Sequence, residues 1–426
     1  MANSDKNIRI TTSKNKTTFP NIVFTGSSAG SSVITLEVLD DNTLSFTSNE
    51  GQVFSLDSNL STGTIWSVND ISGYPLLRAD VGAASGATIR IAEGLGTVGI
   101  GETNPIHKFN VKGALAIGST NTAFGNTALY LNTTGISNIA LGFQALRSNT
   151  VGFSNTAVGR DALYTNTTGY GGTAVGHNAL VSNIWGGYNT AVGFQALYYN
   201  TIGTNNSAFG LESLLSNTTG VKNVAVGRSA LQGNTIGASN SAFGYRALRY
   251  NTIGTNNNAF GQNALFSNTT GTHNVAFGRD ALSSNAIGTN NCAFGNYALT
   301  SNTTGRKNSA FGYQSLYFNL TGNNNSAFGY RSLFANSTGT NNSAFGYRSL
   351  RYNTTGGQNT AIGHNALLNN TIGDGNSAVG HRSLSSNTTG RANSAFGYQS
   401  LYNNTTGSNN VAVGTNALFS NNGNNN

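Results

Sequence analysis

Arginine and tyrosine recur at fixed spacing in the second half of the chain, and they are the residues best suited to binding chemistry. Arg249–Tyr250 and Arg351–Tyr352 are adjacent pairs. A guanidinium group can hold a carboxylate or phosphate through two hydrogen bonds, and a ring beside it can stack on a sugar. Two interpretations stay open: a binding surface for anionic glycans, and a solvated face that keeps the molecule soluble. The residues of this surface are Arg246, Arg249, Tyr250, Arg331, Arg348, Arg351 and Tyr352.

Histidine and cysteine provide weaker candidates. His364 and His381 lie seventeen residues apart and would sit one above the other in a stack, as weak candidates for a metal site. The alternative is a pair of exposed histidines that bind nothing, and we expect no metal and no cofactor. Cys292 has no histidine at a fixed relation to it, so we interpret it as a small strand residue and not as a nucleophile. The acidic residues of 121–426 form no pair at hydrolase spacing, and the sequence predicts no enzyme.

These residues belong to a repeat of seventeen residues that runs from Asn121 in eighteen consecutive units. Numbered from that Asn, position 3 is always Ala, position 5 Gly, position 9 Leu and position 12 Asn. Position 8 is Ala or Ser, and position 15 is Gly in every unit but the last. In the two units at 308–341 the predicted structural core consists of Ala310, Phe311, Gly312, Leu316, Asn319, Ala327, Phe328, Gly329, Leu333 and Asn336.

A strict period of this length predicts a β-solenoid, in which each unit forms one coil and no coil is stable alone. At about 4.8 Å per coil, eighteen coils make a rod of roughly 85 Å. The segment N-[ST]-A-[FV]-G has the composition of a strand. The segment xxALxxN fits either a second strand or one helical turn. The glycines indicate positive φ or close backbone approach. The Asn at position 12 favours the left-handed region and an amide ladder through the stack.

Positions 3 and 4 point to opposite sides of the strand, because side chains alternate. Both are apolar, which predicts two buried surfaces: the inside of the coil and a contact with a partner chain. About four apolar side chains per coil is a small core, and the final SNNGNNN contains no evident capping element. We therefore expect oligomerisation to complete the core, and we expect the distal end to be blunted by polar residues or covered by another protein.

The first 120 residues lack the seventeen-residue repeat and have a different residue pattern. SSVITLEVLDDNTLSFTSNEGQVFSLD at 31–57 predicts a three-strand meander, and GTIWSVND, ATIRIAEG and HKFNVKG predict further short strands. The predicted fold class is therefore all-β. We expect an antiparallel N-terminal β module at 1–95, a connector at 96–120 and the solenoid at 121–426.

Composition limits the partners. Residues 121–426 carry fourteen Lys and Arg against four Asp and Glu, a net charge of about +10 that favours anionic partners. No apolar run approaches the roughly 18 residues of a membrane span, so we expect no membrane insertion. The single cysteine cannot form an intrachain disulfide.

The repeat resembles two related kinds of protein. N-[ST]-A-[FV]-G is similar to the short strand motif in the heads of trimeric autotransporter adhesins, which are left-handed β-rolls of three chains. The full unit, such as NTAVGFQALYYNTIGTN at 189–205, resembles repeats in tail-fibre and other virion fibre proteins of bacteriophages, notably phages of marine bacteria. GTVGIGETNPIHKFNVKG at 96–113 resembles the phrase VGIG-T-x-P-x-x-K-L-x-V-x-G of such fibres, with Phe109 in place of the usual Leu.

The resemblance implies a homotrimeric structural and adhesive fibre of a phage virion. Its N-terminal module would attach to other virion proteins, and the rod would contact anionic glycans of the host surface through many weak contacts. Nucleic acid is not an expected partner, because such a rod faces outward. A bacterial surface adhesin of the autotransporter type is the alternative, although the chain shows no membrane-anchor domain of that type. An ice-binding solenoid, suggested by the stacked Thr rows, is a third hypothesis.

Overall fold

The computed structural model describes residues 121–426 without a break and, before them, the backbone of ten strands between residues 8 and 111. The chain divides into two compact units, Met1–Ala116 and Ile117–Asn426. The connector at 96–120 is a finer division than this and stays a prediction.

The first unit contains strands β1 to β10. Their bounds are β1 Ile8–Thr11, β2 Asn21–Phe24, β3 Ile34–Val38, β4 Leu44–Ser48, β5 Gly51–Leu56, β6 Gly63–Asn69, β7 Pro75–Gly82, β8 Gly86–Ile91, β9 Val98–Ile100 and β10 Phe109–Val111. Strands β1 to β8 form one antiparallel sheet in chain order, and β9 pairs with β10 in parallel. The predicted meander is β3–β5, and the predicted short strands are β6, β8 and β10. Strands β1, β2, β7 and β9 are additional.

The second unit is an eighteen-stranded parallel sheet in chain order, with one strand in each coil. Every strand occupies positions 2–4 and pairs in register with the same positions of the next coil, as Ala310 does with Ala327. The predicted solenoid with a seventeen-residue coil is confirmed. Its strands are β11 Thr122–Phe124, β12 Ile139–Leu141, β13 Thr156–Val158, β14 Thr173–Val175, β15 Thr190–Val192, β16 Ser207–Phe209, β17 Val224–Val226, β18 Ser241–Phe243, β19 Asn258–Phe260, β20 Val275–Phe277, β21 Cys292–Phe294, β22 Ser309–Phe311, β23 Ser326–Phe328, β24 Ser343–Phe345, β25 Thr360–Ile362, β26 Ser377–Val379, β27 Ser394–Phe396 and β28 Val411–Val413.

The core of the solenoid is a thin column of Ala and Leu. Ala310, Leu316, Ala327 and Leu333 are 0% exposed, and the same positions are buried in nearly every coil. Position 8 accepts Ser because its hydroxyl finds a partner within the coil: Ser315 Oγ donates to the Gly312 carbonyl at 3.1 Å. A fully buried Leu contributes about 1.5–3 kcal/mol, so the stack gains stability from each added coil.

Phe311 and Phe328 lie outside this core. The strand burial pattern is intermediate–buried–intermediate in both coils, with only the central Ala fully buried. Their rings are on the outer face of the strand because alternation sends position 4 away from the Ala at position 3. The core proper is therefore narrower than the predicted set.

The segment xxALxxN is neither a second strand nor a helical turn. It is a run of tight turns in which positions 7 and 9 are left-handed, as in Gln314 and Leu316 with φ of 55° and 51°. Such a conformation costs an ordinary residue about 1–2 kcal/mol. Hydrogen bonds between coils offset this cost: Gln314 N donates to Asn296 O, and Leu316 N donates to Ser332 O.

Glycine is required at positions 5 and 15 of the coil for different reasons. Gly312 has a φ of 128°, and a Cβ there would lie 2.7 Å from the Gly329 carbonyl oxygen of the next coil. Gly322, at position 15, needs no positive φ; a Cβ there would overlap the side-chain amide of Asn319. Position 5 thus needs glycine for conformation and space, and position 15 for space alone.

Two ladders of asparagine run through the solenoid. At position 12, Asn319 Nδ2 donates to Asn302 Oδ1 at 2.8 Å and to the Gly322 carbonyl at 3.0 Å, so the predicted amide ladder is present. These Asn residues have no positive φ, contrary to the expectation for this position. A second ladder at position 1 was not predicted: Asn325 N donates to Asn308 Oδ1 at 3.0 Å. It is interrupted where Gly172 replaces Asn.

The SNNGNNN segment closes the last coil, and its amide side chains form hydrogen bonds with the preceding coil. Asn422 Oδ1 accepts hydrogen bonds from the backbone N–H groups of Thr405 and Thr406. Asn424 Oδ1 accepts one from Ser408 N. In the preceding coil the position 13 backbone carbonyl accepts such bonds, as Thr405 O does from Thr388 N and Thr389 N, and in the last coil the Asn422 side-chain oxygen takes this place.

Candidate functional site

The candidate functional surface of the solenoid is its set of outward rows, in which each position forms a line of side chains parallel to the stack. At position 4 the rings of six neighbouring coil pairs stack face to face, with centroids 4.3–4.9 Å apart. The row stays accessible in the single chain: Phe277 is 37% exposed and Phe345 40%. All eighteen coils carry Phe, Leu, Ile or Val here, so the row is apolar from end to end.

Position 6 forms a second ladder of rings, in which His364 and His381 stack as predicted, with centroids 5.0 Å apart. Tyr347 covers one side of this pair at 5.0 Å, and Tyr398 covers the other at 5.3 Å. Within residues 121–426 and the described strands, no group of three or more His, Cys, Asp or Glu could hold a metal ion. The histidines are thus members of an aromatic stack.

The predicted surface-binding residues fall into two groups, and the first is in coils 13 and 14, at 325–358. Arg331 and Arg348 are at position 7 of adjacent coils, where Arg348 N donates to the carbonyl of Tyr330 at 2.9 Å. Arg351 is at position 10, and its Cζ lies 4.8 Å from the centroid of the Tyr352 ring. The Phe334 ring joins the two rows: its centroid is 5.3 Å from Arg331 Cζ and 5.8 Å from Arg351 Cζ. We call Arg331, Phe334, Arg348, Arg351 and Tyr352 the arginine cluster.

Aromatic rings hold the guanidinium groups of the arginine cluster in place. Arg331 Cζ lies 5.3 Å from the Tyr330 ring, and Arg348 Cζ lies 4.8 Å from the Tyr347 ring. Tyr330, Phe334 and Tyr347 are residues that the sequence interpretation did not include. The repeat could have indicated these rings. Tyr330 and Tyr347 directly precede the position 7 arginines, and Phe334 shares position 10 with Arg351 of the next coil.

The second group, Arg246, Arg249 and Tyr250, has a different electrostatic setting. Arg249 Nε donates to Gln232 Oε1 at 2.8 Å, and Gln232 Nε2 donates to Glu212 Oε2 at 2.8 Å. A carboxylate is therefore connected to Arg249 through one neutral side chain. Arg246 packs on the Tyr245 ring at 4.7 Å. This group is partly compensated in charge.

The arginine cluster has no such compensation. In residues 121–426 the ion pairs are Arg160–Asp161, Arg279–Asp280 and Arg391–Asp374, and none includes a member of the cluster. No Asp or Glu occurs at all between Asp280 and Asp374. The Nε atoms of Arg348 and Arg351 are buried without a hydrogen-bond acceptor. Protein atoms cover these two Nε atoms, so a ligand would contact the terminal N–H groups of the same half-buried side chains.

Stacking within the position 6 ladder limits how the Tyr330 and Tyr347 rings can contact a ligand. The faces of Tyr330 and Tyr347 are covered by their neighbours in the position 6 ladder, with centroids 5.2 Å apart. Only the ring edges face outward, so these rings cannot take a sugar ring or a base on their faces. The groups left for a ligand are the guanidinium N–H donors and the Tyr352 ring, which is 42% exposed and lies outside this ladder.

Two other candidates have structural roles. Cys292 is a half-buried strand residue at position 2, and burial raises the pKa of its thiol, which disfavours the reactive thiolate. The Thr row at position 13 uses its hydroxyls inside the stack, as when Thr218 Oγ1 donates to the Thr235 carbonyl at 3.1 Å. Those hydroxyls are therefore engaged by the protein, whereas Thr at position 14, such as Thr219, is exposed, and the ice-binding hypothesis stays a prediction.

The described residues contain no helix long and apolar enough to cross a membrane. No protein-family model, no curated protein and no solved structure matches this chain. The resemblance to fibre proteins therefore stays a prediction from the repeat and from the motif at 96–113.

Proposed function

We propose that this protein is a structural and adhesive fibre of a bacteriophage virion, built from three copies of the chain. The first unit attaches to other virion proteins, and the solenoid projects from the tail or capsid. Contact with the host surface is multivalent, because three chains with many equivalent coils can hold a surface through individually weak sites.

The observation that carries the proposal is the apolar row at position 4. An isolated exposed Phe is ordinary, but a continuous line of eighteen apolar side chains exceeds the patch that a monomeric soluble protein normally exposes. A partner for this row must offer apolar groups at the same repeat of about 4.8 Å over the same length. Another copy of the chain meets both conditions, and closed rotational symmetry brings three such rows to one axis.

Light scattering after size exclusion tests the assembly. The expected mass is about three times the 44.1 kDa of the chain. Replacing Phe277, Phe294 and Phe311 together by Ser should lower it to the mass of one chain, because the stacked centre of the row is lost. A mass of one chain for the unsubstituted protein at every concentration would refute the trimer.

A matched control is the neighbouring ring ladder at position 6. Replacing Tyr313, Tyr330 and Tyr347 by Ser removes three stacked rings of similar exposure and should leave the mass unchanged. Equal loss of mass in both variants would show that ring stacking in general, and not the position 4 row, holds the copies together.

Gene context tests the virion assignment. Neighbouring genes for baseplate or capsid proteins are the expected result. A neighbouring gene for an outer-membrane translocation barrel would instead favour the bacterial adhesin, which uses the same rod with a different anchor.

A further inference from the structure

We infer that the arginine cluster is a binding site for an acidic polysaccharide, and that it recognises sulfate or carboxylate groups on neighbouring sugars. This inference rests on the proposed adhesive function and names the chemistry of one of its contact sites. Of the two groups of predicted surface residues, the inference assigns the site to the arginine cluster of coils 13 and 14. It does not include Arg246 and Arg249 in the site.

The first step is charge. Arg331 and Arg348 are in register on adjacent coils, so their backbones are about 4.8 Å apart. Arg351 is three residues further on and reaches the Phe334 ring that Arg331 also contacts. Three like charges held this close repel each other, and none has a carboxylate partner among residues 121–426. An oxyanion placed between them removes the repulsion.

The second step is hydrogen bonding. Arg331 Nε donates to Gln314 Oε1 at 2.7 Å, whereas neither Arg348 nor Arg351 makes a side-chain hydrogen bond within residues 121–426. Their Nε–H groups are covered by protein, so the terminal N–H groups of these half-buried side chains are the donors open to a ligand. Guanidinium groups form paired, charge-assisted hydrogen bonds with planar or tetrahedral oxyanions. The rings beside them fix the side chains in advance, which reduces the entropy lost when a ligand binds.

The third step is the shape of the ligand. The position 7 arginines follow the long axis of the stack, so a ligand that contacts both must extend along it and carry more than one anionic group. A single-stranded nucleic acid would also stack successive bases on aromatic faces, but the faces at position 6 are already covered and Tyr352 is the one exposed ring of the cluster outside that ladder. A polysaccharide needs only its oxyanions and the ring edges.

Binding to dextran sulfate, to polygalacturonate and to neutral dextran tests the inference and separates sulfate from carboxylate as the ligand group. The full chain should bind one or both acidic polymers and not the neutral one. The triple variant R331Q/R348Q/R351Q should bind about tenfold more weakly or worse, since several charge-assisted hydrogen bonds are lost. Unchanged binding by this variant would overturn the assignment.

The control R228Q/R246Q/R249Q removes the same charge from coils 7 and 8. It should weaken binding by less than about twofold at the same ionic strength, because long-range attraction is screened beyond roughly 10 Å at 0.1 M salt. Equal weakening of both variants would show that net charge alone attracts the polymer, and the site would be rejected.

A charge-preserving variant tests guanidinium recognition itself. R331K/R348K/R351K should bind several-fold more weakly than the natural chain, because Lys cannot form the paired contact; equal affinity would overturn the assignment. Tighter binding of duplex DNA than of either acidic polymer would overturn the ligand class. Light scattering and circular dichroism on every variant separate these outcomes from loss of assembly or folding, so a failed site and a failed trimer give different results.

Discussion

The asparagine ladder at position 12 permits a sharp test, the substitution Asn319→Ala in the middle of the stack. Asn319 Nδ2 donates to Asn302 Oδ1 and to the Gly322 carbonyl, and its Oδ1 accepts from Asn336 Nδ2 at 2.8 Å. Alanine removes all three hydrogen bonds without altering the backbone requirement, because the φ of Asn319 is not positive.

The loss of stability can be estimated from the hydrogen bonds that each partner of Asn319 still makes after the substitution. The Gly322 carbonyl still accepts from Asn308 Nδ2 at 2.8 Å, and Asn336 Nδ2 still donates to a carbonyl of its own coil. Asn302 Oδ1 loses its donor while fully buried. Net hydrogen bonds contribute about 0.5–1.5 kcal/mol each, and a stranded buried acceptor costs about 1–3 kcal/mol. The free energy of local opening should fall by about 3 kcal/mol.

Amide hydrogen exchange read by mass spectrometry measures this locally, which suits a stacked protein whose coils need not unfold together. Peptides within 291–341 should exchange about 100-fold faster than in the natural chain, since every 1.4 kcal/mol is a factor of ten. Coils far from Asn319 should change little.

The matched control is Asn421→Ala, at the same position of the last coil. Asn421 is half-buried and makes no ladder bond to Asn404, whose Oδ1 has no donor. Exchange should stay within about threefold there. If Asn319→Ala changes exchange by less than threefold as well, or if both variants lose the same protection, the ladder does not stabilise the coil as argued.

Three further predictions concern single positions. Gly312→Ala should lower the melting temperature more than Gly414→Ala, because both glycines have positive φ but only a Cβ at Gly312 meets the next coil. Leu316→Ala should destabilise by about 2–5 kcal/mol in denaturant unfolding, and Leu418→Ala by much less, since Leu418 is already 37% exposed. Cys292 should alkylate with iodoacetamide more slowly at pH 8 than in urea, because burial raises the pKa of its thiol. The neutral thiol is the form the fold favours, so its contribution to stability is lost as the pH rises through the folded pKa. Equal alkylation rates in the folded and unfolded protein would contradict this.

Much of the solenoid follows from the sequence because an internal repeat compares eighteen versions of one coil. Invariant Ala, Leu and Asn at fixed positions predicted the inward column and the position 12 ladder, and the unbroken period predicted the in-register stack. The adjacency of His364 and His381 follows from the same period, since residues seventeen apart become neighbours.

The backbone conformation of the coil could be learned only from the tertiary structure. Leu at a left-handed φ contradicts local preference, and no propensity argument would place Leu316 there. The conformation persists because its N–H groups bond to adjacent coils, an interaction between residues about seventeen positions apart. The same holds for the arginine cluster. The sequence predicted the same binding role for the Arg246 and Arg331 groups. Their electrostatic settings differ in the folded chain, because Gln232 connects the Arg246 group to Glu212 and no carboxylate of residues 121–426 pairs with the Arg331 group.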